Sequence, residues 1–166
     1  NIKAIIVSII LVSVVLFLGL GSLRMVLACL ITLLLGLIIT TAFASLAIGK
    51  LNLISIAFAV LYIGLGIDFA IHLALRFKEE SSYPSHNINA LGNTIKYISK
   101  PLILCAMTTA IGFYAFIPTN YLGVAELGWI AGTGMIISLI LTFTLLPALL
   151  SFIPSNVFEN NKKLIK

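Results

Sequence analysis

The amino-acid sequence predicts an all-α membrane protein, and three observations support that prediction. Hydrophobic residues make up 61% of the chain and charged residues only 9%, with a mean hydropathy of +1.20, whereas a water-soluble protein needs a far larger polar surface. The apolar residues form runs of the length that spans a bilayer. These runs are continuous and do not alternate with polar residues, which favours helices over the strands of a membrane barrel.

Five apolar runs are long enough to cross a bilayer, and each is predicted to be a transmembrane helix. The runs cover about residues 4–20, 25–47, 53–75, 101–117 and 127–152. Residues 1–153 are therefore expected to form one five-helix membrane domain, followed by a polar cytoplasmic tail or linker at residues 154–166. The chain starts at Asn1 and shows no signal-peptide pattern, so we expect a piece of a longer protein.

A polar stretch at residues 76–100 separates the third run from the fourth. Within it, four apolar residues recur at helical spacing: Ile88, Leu91, Ile95 and Ile98. This spacing predicts a short amphipathic helix at the cytoplasmic interface, with an ordinary connector packed on the bundle as the alternative. Pro101 then fits the first turn of the fourth helix. Pro147 predicts a kink near the end of the fifth helix.

The distribution of basic residues predicts the orientation of the five helices. Eight basic residues fall on one side: Arg24, Arg76, Lys78, Lys96, Lys100, Lys162, Lys163 and Lys166. Only Lys3 and Lys50 fall on the other side. The first side is predicted to be cytoplasmic, which places the N-terminus outside and the C-terminus inside. The net charge of +5 is explained by this orientation, and no nucleic-acid partner is expected.

Asp68 is the only acidic residue inside any of the apolar runs. An ionised carboxylate at bilayer depth costs at least ~2.5–3.5 kcal/mol, so such a residue usually has a function. Gly64 and Gly66 precede it and remove side chains where another helix could pack beside the acid. On a helix, Gly64, Asp68 and His72 share one face. The arrangement predicts a proton site in a helix bundle.

Two interpretations of this site remain open. Asp68 and His72 could simply hold helices together through hydrogen bonds, typically worth ~0.6 kcal/mol each in membranes. Alternatively, Asp68 binds and releases a proton, with His72 as a weaker candidate for the relay. Thr108 and Thr109 in the fourth run and Thr142 in the fifth are candidate polar partners of the acid, although membrane threonines more often bond to their own helix backbone.

Nothing in the sequence indicates an enzyme, a metal site or a cofactor site. Gly64-Leu-Gly-Ile-Asp68 superficially resembles the Gly-x-Gly-Asp motif of intramembrane aspartyl proteases. In this chain the acid falls one residue late, and no other apolar run supplies the second carboxylate that aspartyl chemistry requires. Nucleophile elbows, metal-ligand clusters and phosphate-binding loops are also missing from the sequence.

Four stretches resemble the RND superfamily of proton-driven exporters, and more closely its MMPL branch and the hopanoid-associated transporters within it. Residues 51–69, which end in Gly64-Leu-Gly-Ile-Asp-Phe69, are similar to the Gly-x-Gly-x-Asp-aromatic helix of that family. Phe77-Lys-Glu-Glu80 resembles the charged end of the same helix. Residues 118–135 and Leu145-Leu-Pro-Ala-Leu-Leu150 are similar to the last helix of a transporter half.

The resemblance implies that the chain is helices two to six of one six-helix half, a unit called a sterol-sensing domain in eukaryotic relatives. It also implies that Asp68 is the proton-relay acid, while Phe69 stands where MMPL proteins often have Tyr. A bacterial inner-membrane exporter of a hopanoid-like lipid is therefore expected, with protons, membrane lipids, a second transmembrane half and external domains as partners. The alternative is a lipid-sensing membrane module without transport.

Overall fold

The computed structural model describes residues 2–49, 53–81 and 90–152, which form five α-helices. These are α1 (Ile2–Leu20), α2 (Leu23–Ile48), α3 (Leu53–Ser81), α4 (Ala90–Tyr114) and α5 (Leu122–Ser151). The described residues contain no β-strand. The predicted all-α class is therefore confirmed.

Helix α3 is the centre of the bundle, since it contacts each of the other four helices. Helices α4 and α5 pack closely together, α5 also packs on α2, and α1 contacts only α2 and α3 closely. The outward faces of α1 and α2 carry many exposed Ile, Leu and Val side chains. A surface of this kind is stable against lipid and not against water.

By length and composition, three helical segments in the described part of the chain can cross a bilayer: Leu23–Ile48, Phe58–Ser81 and Leu122–Ser151. Ile5–Leu20 is a shorter apolar helix. The structure therefore supports a multi-pass membrane protein.

Glycines allow α4 and α5 to approach closely. A Cβ atom at Gly128 would lie 2.5 Å from the backbone oxygen of Phe113, and one at Gly132 would lie 2.5 Å from the ring of Tyr114. The Tyr114 ring also packs on Trp129, with ring centroids 5.6 Å apart. Small residues four positions apart are a common device for packing helices in membranes, where the hydrophobic effect does not drive helices together.

The structure corrects the prediction for the fourth helix. The expected separate amphipathic helix and the expected span at residues 101–117 form one continuous helix, Ala90–Tyr114, with Pro101 in its interior and not in its first turn. The physical reason is a shared inward face that keeps the helical period through the proline: Leu91, Ile95, Ile98, Leu102, Ala106 and Ala110. Ile88 lies outside the described residues.

Other helix ends differ from the predicted ones by a few residues. Helix α3 continues to Ser81, beyond its apolar run, and α5 begins at Leu122, five residues earlier than predicted. Apolar runs mark only the part of a helix that lies in lipid, while the helix can continue into the interface. The predicted tail at residues 154–166 lies outside the described residues.

Candidate functional site

The side chains of Asp68 and His72 line a cleft between α3 and α4. Both residues are exposed on the surface of the bundle, and the cleft has a volume of about 390 Å³. Its lining comprises Leu65, Asp68, Phe69 and His72 from α3, Ile98, Pro101, Leu102, Cys105 and Thr109 from α4, and Met135 from α5. Asp68 and His72, together with the thiol of Cys105, are the titratable groups among these lining residues, and most of the others are apolar.

The position of the acid follows from the period of α3. Phe69 is 2% exposed and Ile67 is 4% exposed, so both flanking side chains point into the bundle. Gly64, Asp68 and His72 fall on the opposite, open side, as their four-residue spacing predicts. Apart from the neighbouring residues and backbone of α3 itself, no atom of the described residues would lie within 4 Å of a Cβ at Gly64. The stripe Gly64, Asp68 and His72 therefore has room for another helix.

Gly66 plays a different part from the one predicted. A Cβ at Gly66 would lie 3.3 Å from Leu33 of α2 and 3.3 Å from Ser138 of α5. The Ser138 hydroxyl also donates a hydrogen bond of 3.3 Å to the Gly66 carbonyl. Gly66 thus permits close packing in the interior of the bundle, and only Gly64 lies on the face of the acid.

Asp68 makes no hydrogen bond or ion pair with the described part of the chain. His72, one helical turn further along α3, is its electrostatic neighbour. Apolar surroundings disfavour the charged form of a carboxyl group, and a nearby cation favours it. An acid in this position can exchange protons, and a single proton moved across 100 mV is worth ~2.3 kcal/mol.

The three predicted threonine partners have different positions in the structure. Thr109 lines the cleft together with Asp68. Thr108 is exposed, and its hydroxyl donates to the backbone oxygens of Leu104 and Cys105 at 3.0 and 2.9 Å. Thr142 is fully buried and does not line the cleft. The structure therefore brings only Thr109 of this set to the acid.

A buried hydroxyl cluster on the inner side of α3 was missed by sequence reasoning. The Tyr62 hydroxyl lies beside the hydroxyls of Thr40 and Ser138. It forms no hydrogen bond with either of them in the structure. Tyr62 is 1% exposed, and its hydroxyl fills the space that a side chain at Gly36 would occupy. The sequence did contain one signal for this cluster. Helices α2 and α5 carry several small residues, and small residues mark the positions where membrane helices pack closely.

The charged end of α3, which the sequence indicated through Phe77-Lys-Glu-Glu80, contains contacts of Arg76 that sequence reasoning did not identify. Arg76 pairs with Glu79 at 2.9 Å and with Glu80 at 2.7 Å. Its guanidinium carbon lies 5.2 Å from the centre of the Tyr97 ring of α4. The four-residue spacing of Arg76 and Glu80 is a visible signal for their pair, whereas the contact with Tyr97 depends on how α3 and α4 pack.

Comparison with known proteins identifies relatives over most of the chain. It is 44% identical over 145 residues to the hopanoid transporter HpnN of Burkholderia multivorans, an alignment that covers 87% of the chain and 16% of the relative. It is 42% identical over 146 residues to the hopanoid transporter HpnN of Rhodopseudomonas palustris, covering 88% of the chain and 17% of that protein.

A more distant relative is a membrane protein of Methanocaldococcus jannaschii, which is 31% identical over 90 residues, or 54% of the chain and 23% of that protein. The chain spans about a sixth of the length of the two hopanoid transporters. The family model of the MMPL family matches residues 1–166. The resemblance predicted from the sequence is thereby confirmed, and the chain belongs to the MMPL family.

Proposed function

We propose that this chain is the five-helix part of one half of a proton-driven transporter that exports a hopanoid-like lipid from the bacterial inner membrane. Asp68 is the proton-binding group, and His72 assists the transfer. The observation that carries the proposal is the position of Asp68, an acid on the open stripe of the central helix, in a cleft with apolar walls. Such an acid in a membrane bundle typically belongs to an ion or proton path.

In this proposal all five helices span the membrane. Helices α2, α3 and α5 are long and apolar enough by themselves. Helix α1 has an apolar segment at Ile5–Leu20, which can span with help from its neighbours and local thinning of the bilayer. The first turns of helix α4 lie in the membrane–water interface, and the helix enters the lipid after Pro101. The excess of basic residues beside α3 and α4 favours a cytoplasmic position for that side.

The remainder of the full-length protein completes the site. The two hopanoid transporters are about six times as long as the matched segment, which leaves room for a second transmembrane half and for external domains. The open stripe Gly64, Asp68 and His72 is the surface on which a helix of the second half would pack. That helix would supply the polar or charged partners of the acid, because an isolated carboxylate in lipid is unfavourable.

Transport is favoured over lipid sensing by the names of two relatives that match most of the chain, both described as hopanoid transporters. The chain itself offers Asp68, His72 and Thr109 as polar groups in the cleft. These groups are sufficient to transfer protons, whereas the passage of a hydrated solute would need a continuous polar path. An apolar lipid can instead enter sideways from the bilayer and travel along the surface of the bundle.

The lipid assignment is tested by deleting the gene and analysing the lipids of separated inner and outer membranes. Loss of a polycyclic lipid from the outer membrane, with retention in the inner membrane, is the expected result. Restoration by the intact gene is the control. Unchanged apolar lipids in the outer membrane, together with a defect in export of a soluble compound, would show that the cargo is not a lipid.

A further inference from the structure

A ladder of ionisable and charged side chains leads from the cleft to the charged end of α3. Asp68, His72, Arg76 and Glu80 follow one another at four-residue intervals, so each step advances ~6 Å along the helix axis. Four residues turn an α-helix by slightly more than a full circle, so each successive side chain of this series points in a slightly different direction around α3. Asp68 and His72 are exposed in the cleft, whereas Glu80 is only 5% exposed.

Arg76 connects α3 and α4 one helical turn beyond His72, which lines the cleft. It is held on α3 by Glu79 and by the buried Glu80, and its guanidinium group lies over the Tyr97 ring of α4. Tyr97 directly precedes Ile98, which lines the cleft with Asp68. The contact between Arg76 and Tyr97 therefore lies between the cleft and the aqueous phase beyond the end of α3.

Pro101 places a weak point in α4 one turn from this contact. Proline has no N–H group, so the carbonyl of Tyr97 lacks its normal helical hydrogen bond. Helices bend most readily at such positions. Helix α3 is anchored at the same end, because the Lys78 ammonium donates a hydrogen bond of 2.7 Å to the Leu20 carbonyl of α1. Bending is therefore expected in α4, at the residue whose ring covers Arg76.

We propose that Arg76 and Tyr97 form a gate between the Asp68 cleft and the aqueous phase, and that bending of α4 at Pro101 opens it. The inference rests on the proposed role of Asp68 as the proton-binding group. In the structure described here, which is the closed state of the proposed gate, the guanidinium group and the ring contact each other one helical turn beyond His72 and next to Ile98, two residues that line the cleft. In the open state, Tyr97 moves away from Arg76, and water reaches His72 and Asp68. Arg76 and Tyr97 position the path and do not themselves carry the proton.

The gate is tested with two substitutions of Tyr97 in the full-length protein. Tyr97→Phe keeps the aromatic face over Arg76, whereas Tyr97→Leu removes it and keeps an apolar side chain. Tyr97 is 59% exposed, so neither change opens a core cavity. Arg76 is a poorer target, because its removal takes an ion-pair partner from the buried Glu80.

Access to the cleft is measured at Cys105, which is exposed and lines the cleft beside Asp68. All other cysteines of the full-length protein, including the buried Cys29, are replaced. A cationic, membrane-impermeant thiol reagent is added on the side of the membrane where Arg76 lies. We expect the modification rate to rise about fivefold in Tyr97→Leu, as loss of a cation–π contact of this kind allows, and to change less than about twofold in Tyr97→Phe.

A substitution of Pro101, where α4 is proposed to bend, provides a second and independent test of the gate. Pro101→Ala restores the N–H group that bonds to the Tyr97 carbonyl, and is expected to lower the modification rate below that of the parent. Equal rates in Tyr97→Leu and Tyr97→Phe, or an unchanged rate in Pro101→Ala, would overturn the gate. Labelling does not require transport, so repeating it in an Asp68→Asn background separates failure of the gate from failure of the proposed function.

Discussion

At the scale of single residues, Asp68 combines two properties that are rarely found together in a membrane helix. It is an acid among apolar walls, and it lies on a face of α3 that the described helices leave uncovered. The first property makes the charged form unfavourable, and the second leaves room for groups that can stabilise it. Under the proposed function, this balance lets Asp68 bind and release a proton as its surroundings change.

The glycines of the α4–α5 contact allow a stability prediction at the same scale. Gly128→Ala should destabilise the full-length protein by about 1–3 kcal/mol, because the new Cβ would lie 2.5 Å from the Phe113 carbonyl oxygen, which is backbone and cannot easily move. Gly112→Ala is the matched control, since nothing in the described residues lies within 4 Å of its Cβ position.

Unfolding midpoints in a series of detergent mixtures would measure both variants. The control should lie within about 0.5 kcal/mol of the parent. A Gly128 variant as stable as the Gly112 variant would mean that α4 and α5 are packed more loosely than the structure indicates.

The residue-level predictions succeeded where helix periodicity alone decides the outcome. The four-residue spacing of Gly64, Asp68 and His72 was sufficient to place them on one face. The threonines could not be ranked in this way, because the choice between Thr108 and Thr109 depends on how α4 is rotated about its own axis. That rotation is set by tertiary packing, including the glycine contacts of α5.

At the scale of the elements, α4 is the helix that matters most for access to the acid. It supplies one wall of the cleft and carries the exposed basic residues Lys96 and Lys100. Pro101 lies at the boundary between the more polar first part of α4 and its apolar second part. In the proposed gate, bending at this boundary changes the contact between Tyr97 and Arg76.

The membrane topology of the elements can be tested by single cysteines at two positions. Ser82→Cys lies in the predicted cytoplasmic segment after α3, and Asn120→Cys lies on the opposite side before α5. In a background without Cys29 and Cys105, an impermeant thiol reagent applied to intact cells should modify position 120 and not position 82. The reverse pattern would require the opposite orientation of all five helices.

Helix bodies were predicted from the sequence, and helix ends were not. Apolar runs report the thickness of the lipid, so they identified the core of each helix. They could not show that α4 starts at Ala90, because the residues before Pro101 are polar enough to be read as a separate surface helix. Proline is tolerated inside membrane helices because neighbouring helices and local adjustments satisfy the freed carbonyl.

At the scale of the whole molecule, the chain belongs to the MMPL family, spans about a sixth of the length of its two hopanoid-transporter relatives, and has a candidate site that is open on one side. Helix α3 contacts all four of its neighbours and still leaves the acid uncovered. Under the proposed function, the remainder of a full-length protein of the relatives' size, about six times the matched segment, covers it. The sequence indicated such a partner only through the resemblance to its family, since no pattern within one segment can identify groups on another.

The most direct test of the account is the substitution Asp68→Asn in the full-length protein, with Asp68→Glu as the matched control. Asn keeps the size and hydrogen bonding of the side chain but cannot titrate, while Glu keeps the carboxyl group. Both variants are expressed in the deletion strain, checked for equal insertion, and compared by lipid analysis of the outer membrane. We expect the Asn variant to export no more lipid than the empty strain, and the Glu variant to retain part of the activity. Export by the Asn variant at near the parental rate would contradict the account and make Asp68 a structural residue.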